Sequence, residues 1–218
     1  MRYVIAAALV ASSAVAAPAF AQEVNPVFTG PRIAVLGGYD GIKPGSSEDA
    51  DIDGIDQTVD GFLYGVEAGY DIALGGVVVG ADLELTDSTG KVETARVNPN
   101  TFGFGEVSTG RDIYLGLRAG VLATPNTLVY AKGGYTNARL NLLGSDGTTS
   151  FDENFELDGF RLGAGVERAI GNNAFAKVEY RYSNYSSANF EFANGATTGD
   201  FDIDTDRHQV LAGVGMRF

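Results

Sequence analysis

The stretch FLYGVEAGYDI, Phe62–Ile72, decides the fold. Phe62, Tyr64, Val66, Ala68, Tyr70 and Ile72 take alternate positions, and Leu63, Gly65, Glu67, Gly69 and Asp71 take those between. Side chains of a β-strand point to opposite faces in turn. The segment therefore reads as a strand with one apolar face and one face of carboxylates set among glycines.

The same alternation recurs along the chain. Ile33, Val35, Gly37 and Tyr39 line the apolar face of a first strand, and Val77, Val79, Ala81, Leu83 and Leu85 that of a third. Ile113–Val121, Val129–Tyr135, Phe160–Val166, Ala174–Tyr182 and Val210–Phe218 supply five more. The joints alternate as well. ALGG (Ala73–Gly76), ATPNT (Ala123–Thr127) and IGNN (Ile170–Asn173) are short and turn-forming, whereas 43–58, 88–109, 142–157 and 187–203 read as long polar loops. Short and long connections around an even number of strands give a meander with its termini on one side. The fold class expected is all-β: an eight-stranded antiparallel up-and-down transmembrane β-barrel, with both termini periplasmic and the long loops outside.

The faces opposite the apolar ones identify the interior. They carry Arg32, Arg118, Lys132, Arg161, Lys177, Arg181 and Arg217 against Asp40, Glu67, Asp71, Asp82, Glu84, Glu167 and Glu179. Equal numbers of cations and anions among small residues suit the lumen of a narrow barrel, where each charge needs a partner. The apolar faces then meet lipid, the reverse of a soluble barrel. Their aromatic residues, Tyr39, Phe62, Tyr64, Tyr70, Tyr135, Phe160, Tyr180, Tyr182 and Phe218, include many near strand ends, where interfacial rings collect. A balanced lumen puts the net charge of −13 on loops and rims.

The N-terminus carries Arg2, an apolar run and Ala-Phe-Ala at 19–21, so residues 1–21 read as a secretory signal peptide and 22–218 as the barrel domain. The acidic balance argues against a nucleic-acid partner and against a polybasic membrane anchor. The absence of Cys excludes disulfides and thiolate metal sites.

Two stretches bear on chemistry. DADIDGIDQTVD, Asp49–Asp60, places Asp at positions 1, 3, 5 and 12 and Gly at 6, close to the EF-hand spacing. Flanking helices are lacking, position 12 is Asp rather than Glu, and Asp56 stands where an apolar residue normally does. A solvated acidic loop is one reading; a weak extracellular Ca²⁺ site of Asp49, Asp51, Asp53 and Asp60 is the other, and no further cofactor is expected. The run DFDIDTD adds Asp200, Asp202, Asp204 and Asp206. The sole histidine, His208, lies at the outer end of the last strand with Val210 and Asp206 on its face, and its nearest serine candidates are Ser183 and Ser186. A rim histidine without an aligned nucleophile points away from catalysis.

GVEAGYDI (65–72), VVGADLELTDS (78–88), GFRLGAGVE (159–167), KVEYRYSNY (177–185) and RHQVLAGVGMRF (207–218) together resemble the small eight-stranded outer-membrane barrels of the opacity-protein-like and outer-membrane protein A-like kind. More narrowly they resemble alphaproteobacterial porin-family surface proteins. The resemblance implies a cell outer-membrane location, contact with outer-membrane lipids, and Phe218 as the signal read by the insertion machinery. It also implies a structural, envelope-integrity or surface-interaction role, with surface or host ligands meeting the acidic loops. A small, low-conductance porin is the alternative. An eight-stranded barrel is only wide enough for its own side chains, so the family word "porin" does not follow from the residues.

Overall fold

The computed structural model describes residues 26–44, 59–93, 104–145, 150–191 and 201–218. A short 3₁₀ turn, Pro26–Phe28, precedes β1 (Gly30–Pro44), β2 (Val59–Leu74), β3 (Val77–Ser88), β4 (Lys91–Glu93), β5 (Phe104–Thr124), β6 (Thr127–Ser145), β7 (Ser150–Ile170), β8 (Ala174–Glu191) and β9 (Phe201–Arg217). Every pairing is antiparallel, and β1 closes the sheet on β9 through Ile33↔Met216 and Val35↔Val214. β3 and β4 are one stave in two pieces, because both pair with β5, through Thr86↔Asp112 and Lys91↔Ser108. Thr109 stitches the break: its hydroxyl donates to the Ser88 and Gly90 carbonyls at 3.0 and 3.1 Å. The result is a closed antiparallel barrel of eight staves.

The strands outrun the apolar segments. β5 begins at Phe104, β6 runs to Ser145 and β7 resumes at Ser150, so much of 88–109 and 142–157, expected as loop, is paired backbone. The physical reason is that hydropathy alternates only where one face meets lipid, whereas ladder hydrogen bonds form in water too. At the opposite end the hairpins are tight, and Gly75 takes φ 67° in the β2–β3 turn, a left-handed conformation open to glycine at no steric cost.

Burial follows the alternation. Leu115, Leu117, Val178 and Val214 stand 57–69% exposed on the outer wall, while Arg32, Arg161 and Arg181 are buried inside. A continuous exposed apolar belt of this size would not persist on a water-facing surface. Among the described residues no helix is long and apolar enough to cross a membrane; the crossing is made by strands.

Glycines let long lumen side chains lie flat. A Cβ on Gly165 would stand 2.7 Å from the Tyr130 hydroxyl and 2.8 Å from its Cζ, because the phenol crosses this glycine to donate to Glu179 at 2.6 Å. Gly165→Val is expected to displace Tyr130 and to lower barrel stability by about 1–3 kcal/mol, the usual scale of overpacking. A reduced urea midpoint in lipid vesicles checks this.

Candidate functional site

The lumen is filled by charge. Among the described residues the buried cations are Arg32, Arg118, Lys132, Arg161, Lys177, Arg181, Arg207 and Arg217, and the buried anions Asp40, Glu67, Asp71, Asp82, Glu84, Asp112, Glu167 and Glu179: eight of each. Lumen residues sit at every second position of their strands, and strand stagger places them in tiers.

In the periplasmic tier Arg118 donates to Asp71 at 2.8 Å and to Glu167 at 2.9 Å, and Arg217 reaches the same two carboxylates at 2.6 and 3.0 Å. Arg32 joins Asp71 at 3.0 Å and also pairs with Glu67 and Asp82. In the middle tier Lys132 lies between Glu84 and Glu179, Lys177 pairs with Glu67 and Glu179, and Arg181 donates to Glu84 at 2.9 Å and pairs with Glu179. In the extracellular tier Arg207 forks onto Asp40, both bonds 2.7 Å, and reaches Asp112 at 2.8 Å; Arg161 pairs with Asp112 and donates to Ser183 at 2.8 Å.

Every lumen residue expected from the sequence thus faces inward, and the network brings them into contact across the barrel. Arg207 and Asp112 join them as a further pair. Their signal was parity: Arg207 alternates with Gln209 and Leu211, and Asp112 with Tyr114, but both lie beyond the apolar segments that drew the strand limits.

The periplasmic mouth is closed by apolar packing. Phe28 is buried against Ala73, Val78, Leu128 and Tyr130, with Val27, Leu122 and Ala169 around them. Arg217 holds the segment in place, donating to the Val27 carbonyl at 2.7 Å with its guanidinium 5.3 Å from the Phe28 ring centre. Glu67, Asp82 and Glu84 cluster closely enough to suggest a metal site, but Arg32, Lys132, Lys177 and Arg181 engage them. A divalent ion would have to displace those cations.

Outside, at the long-loop end, one arrangement repeats three times. Tyr39, Tyr135 and Tyr182 face outward opposite Phe62, Phe160 and His208, and their hydroxyls donate to Asp60, Asp158 and Asp206, two residues beyond those partners. Each ring stays at the apolar boundary while its hydroxyl reaches a polar collar above. Asp60 is therefore placed in the collar; Asp49, Asp51 and Asp53 lie outside the described residues. Asp202 and Asp204 belong to β9, and Asp206 also accepts from Asn184 at 3.0 Å.

His208 faces outward among Tyr180 and Tyr182, its Nδ1 2.7 Å from the Tyr180 hydroxyl. Ser183 is buried inside and bonded to Arg161, so its hydroxyl and the imidazole lie on opposite faces of the wall. Ser186 is exposed, at the bulge of β8. At the chain end Phe218 is exposed, and its amide donates to the Pro31 carbonyl at 2.9 Å.

Comparison with known proteins agrees with this architecture. The family model described as "Outer membrane protein beta-barrel domain" matches residues 7–218. The 31 kDa outer-membrane immunogenic protein of Brucella melitensis is 32% identical, over 97% of this chain and 96% of its own length. The 22 kDa outer membrane protein of Rhizobium leguminosarum is 30% identical, over 76% and 70%. Among solved structures, OprG of Pseudomonas aeruginosa superposes with a TM-score of 0.53 at 15% identity, covering 90% of this chain and 99% of OprG. Ail of Yersinia pestis gives 0.51 at 14% identity, with 87% and 99% covered. These two share the fold. With its lipid-facing wall, closed barrel and charged lumen, this chain is an outer-membrane protein and belongs to the outer-membrane β-barrel family of the Brucella immunogenic proteins.

Proposed function

We propose that this barrel is a closed, non-enzymatic scaffold that supports envelope integrity and presents its extracellular side to surfaces or host ligands. The observation that carries the reading is the filled interior: paired charges across the lumen and the Phe28 plug below. Conduction would require several buried ion pairs to part at once, each leaving unpaired charges in a low-dielectric space. The Brucella relatives are named for immunogenicity, a property that fits display at the cell surface. Residues 1–21 serve as the export signal in this reading, and the outward-facing Phe218 as the mark recognised during insertion.

A small, low-conductance pore is the second reading, favoured by one observation. Among the described residues Thr86 Oγ1, Tyr114 OH, Arg161 Nη1, Arg181 Nη1 and Gln209 Oε1 are buried without a hydrogen-bond partner. Polar groups of this kind are commonly satisfied by water, and a hydrated seam through the lumen would offer an ion path. Single-channel recording of refolded protein in planar bilayers separates the two. Silence from protein shown to be folded is expected; reproducible conductance steps would replace the scaffold with the pore.

A further inference from the structure

The residues before β1 form a strap across the periplasmic mouth. Gly30, at φ 119°, turns Pro26–Phe28 away from the line of β1, in a conformation that favours glycine; a Cβ there would also run into the Phe218 carbonyl. Phe28 lies in one buried cluster with Ala73 of β2, Val78 of β3 and Leu128 and Tyr130 of β6. In the ring β6 is the fourth stave from β1 in either direction, so the strap reaches the opposite wall. In an uncurled sheet four strand spacings, about 19 Å, would hold β6 away from β1. The Thr29 hydroxyl also accepts from the Ala73 amide, at 3.1 Å.

The last strand holds the strap from the other side. Arg217 Nη1 donates to the Val27 carbonyl at 2.7 Å, and its guanidinium stands 5.3 Å from the Phe28 ring centre and 5.6 Å from that of Phe175 on β8. Its Nη2 reaches Asp71 of β2 at 2.6 Å and Glu167 of β7 at 3.0 Å. At the same level Arg217 pairs with Arg32 in the β1–β9 register, and the Phe218 amide donates to the Pro31 carbonyl at 2.9 Å. Two conditions follow from this geometry. Phe28 finds its seat only when the sheet has curled far enough to bring β6 opposite β1, and Val27 meets Arg217 only when β9 lies beside β1.

We infer that the strap is a seam lock: Phe28 seats after β1 and β9 have paired, and with Arg217 it then holds the first and last strands together. Contacts that form only in the closed ring are absent while the seam is still open. They lengthen the life of the folded barrel without hastening its formation. The lock governs how long the barrel persists in the membrane, whether or not its lumen conducts.

The test measures refolding and urea-unfolding rates of the full chain in lipid vesicles, for the unaltered protein and for Phe28→Ala. Phe28→Ala is expected to fold at the unaltered rate, within about twofold, and to unfold at least about a hundredfold faster, the scale of emptying a buried aromatic site when the whole loss falls on unfolding. A merely structural core residue that packs early would instead slow folding. Most of the change appearing in the folding rate, or an unfolding rate that does not change, would overturn the assignment. If Phe28→Ala yields no folded protein, Phe28→Leu decides on the same two rates: faster unfolding with unaltered folding supports the lock, and slower folding refutes it.

Discussion

Reversal of Arg161 to glutamate will destabilise the barrel by more than about 3–5 kcal/mol, the usual cost of removing one partner from a buried ion pair. Arg161 is fully buried. It pairs with Asp112, donates to Ser183 at 2.8 Å and lies 3.7 Å from a Glu84 oxygen, with its guanidinium carbon 5.4 Å from the Tyr114 ring centre. Glutamate here would remove the cation and set a third carboxylate between Asp112 and Glu84. Among the described residues Arg207 would then be the one cation paired with Asp112, while also serving Asp40. Arg161→Gln, which deletes the charge without reversing it, should fall near the lower end of that range. Restoring the sign with Asp112→Arg in the Arg161→Glu background should recover part of the loss, as expected of residues in direct contact. Reversible urea unfolding in lipid vesicles measures all three. An unchanged midpoint for Arg161→Glu would place this side chain outside the lumen.

The neighbouring prediction concerns the other face. Val178 is 59% exposed and pairs with Val166 and Ala212, midway along the outer wall, while the flanking Lys177 and Glu179 point inside. Val178→Arg should cost about 2–4 kcal/mol, the penalty for a cation at the bilayer midplane. The same change on a water-facing strand would be close to neutral. Val178→Leu provides the control and should stay within experimental error. Unfolding in vesicles and the yield of heat-modifiable, folded protein after refolding report the difference. A neutral Val178→Arg would show that this wall does not meet lipid.

Both predictions depend on a feature that a reader of the sequence meets directly. Lys177, Val178 and Glu179 are consecutive, and strand geometry alone sends the outer two one way and the middle one the other. That rule assigns Arg32, Glu67, Asp82, Glu84, Arg118, Lys132, Glu167 and Arg181 to one face without any knowledge of their partners. It loses its grip where hydropathy stops alternating. Asp112 lies one residue before the apolar segment that starts at Ile113, and Arg207 three before Val210, so strands bounded by composition leave both out. The paired hairpin of β6 and β7, from Leu140↔Phe155 to Ser145↔Ser150, was hidden for the same reason. Above the membrane neither face meets lipid, and nothing forces polar and apolar residues to alternate, although the backbone still pairs.

The sequence by itself determined the number of staves, the inward or outward sense of the side chains in the apolar segments and the membrane that the wall must face. These are local properties, written by period two and by turn residues. Only the tertiary structure decided which charges meet: Arg118 with Asp71 and Glu167, residues 47 and 49 positions away, and Arg207 with Asp40, 167 positions away. It also decided that Phe28 closes the periplasmic mouth and that Arg111 and Arg139, on neighbouring staves, both donate to Glu156. Such pairings depend on stagger between staves and on barrel closure, which follow from hydrogen-bond register summed around the ring. No window of sequence contains that sum.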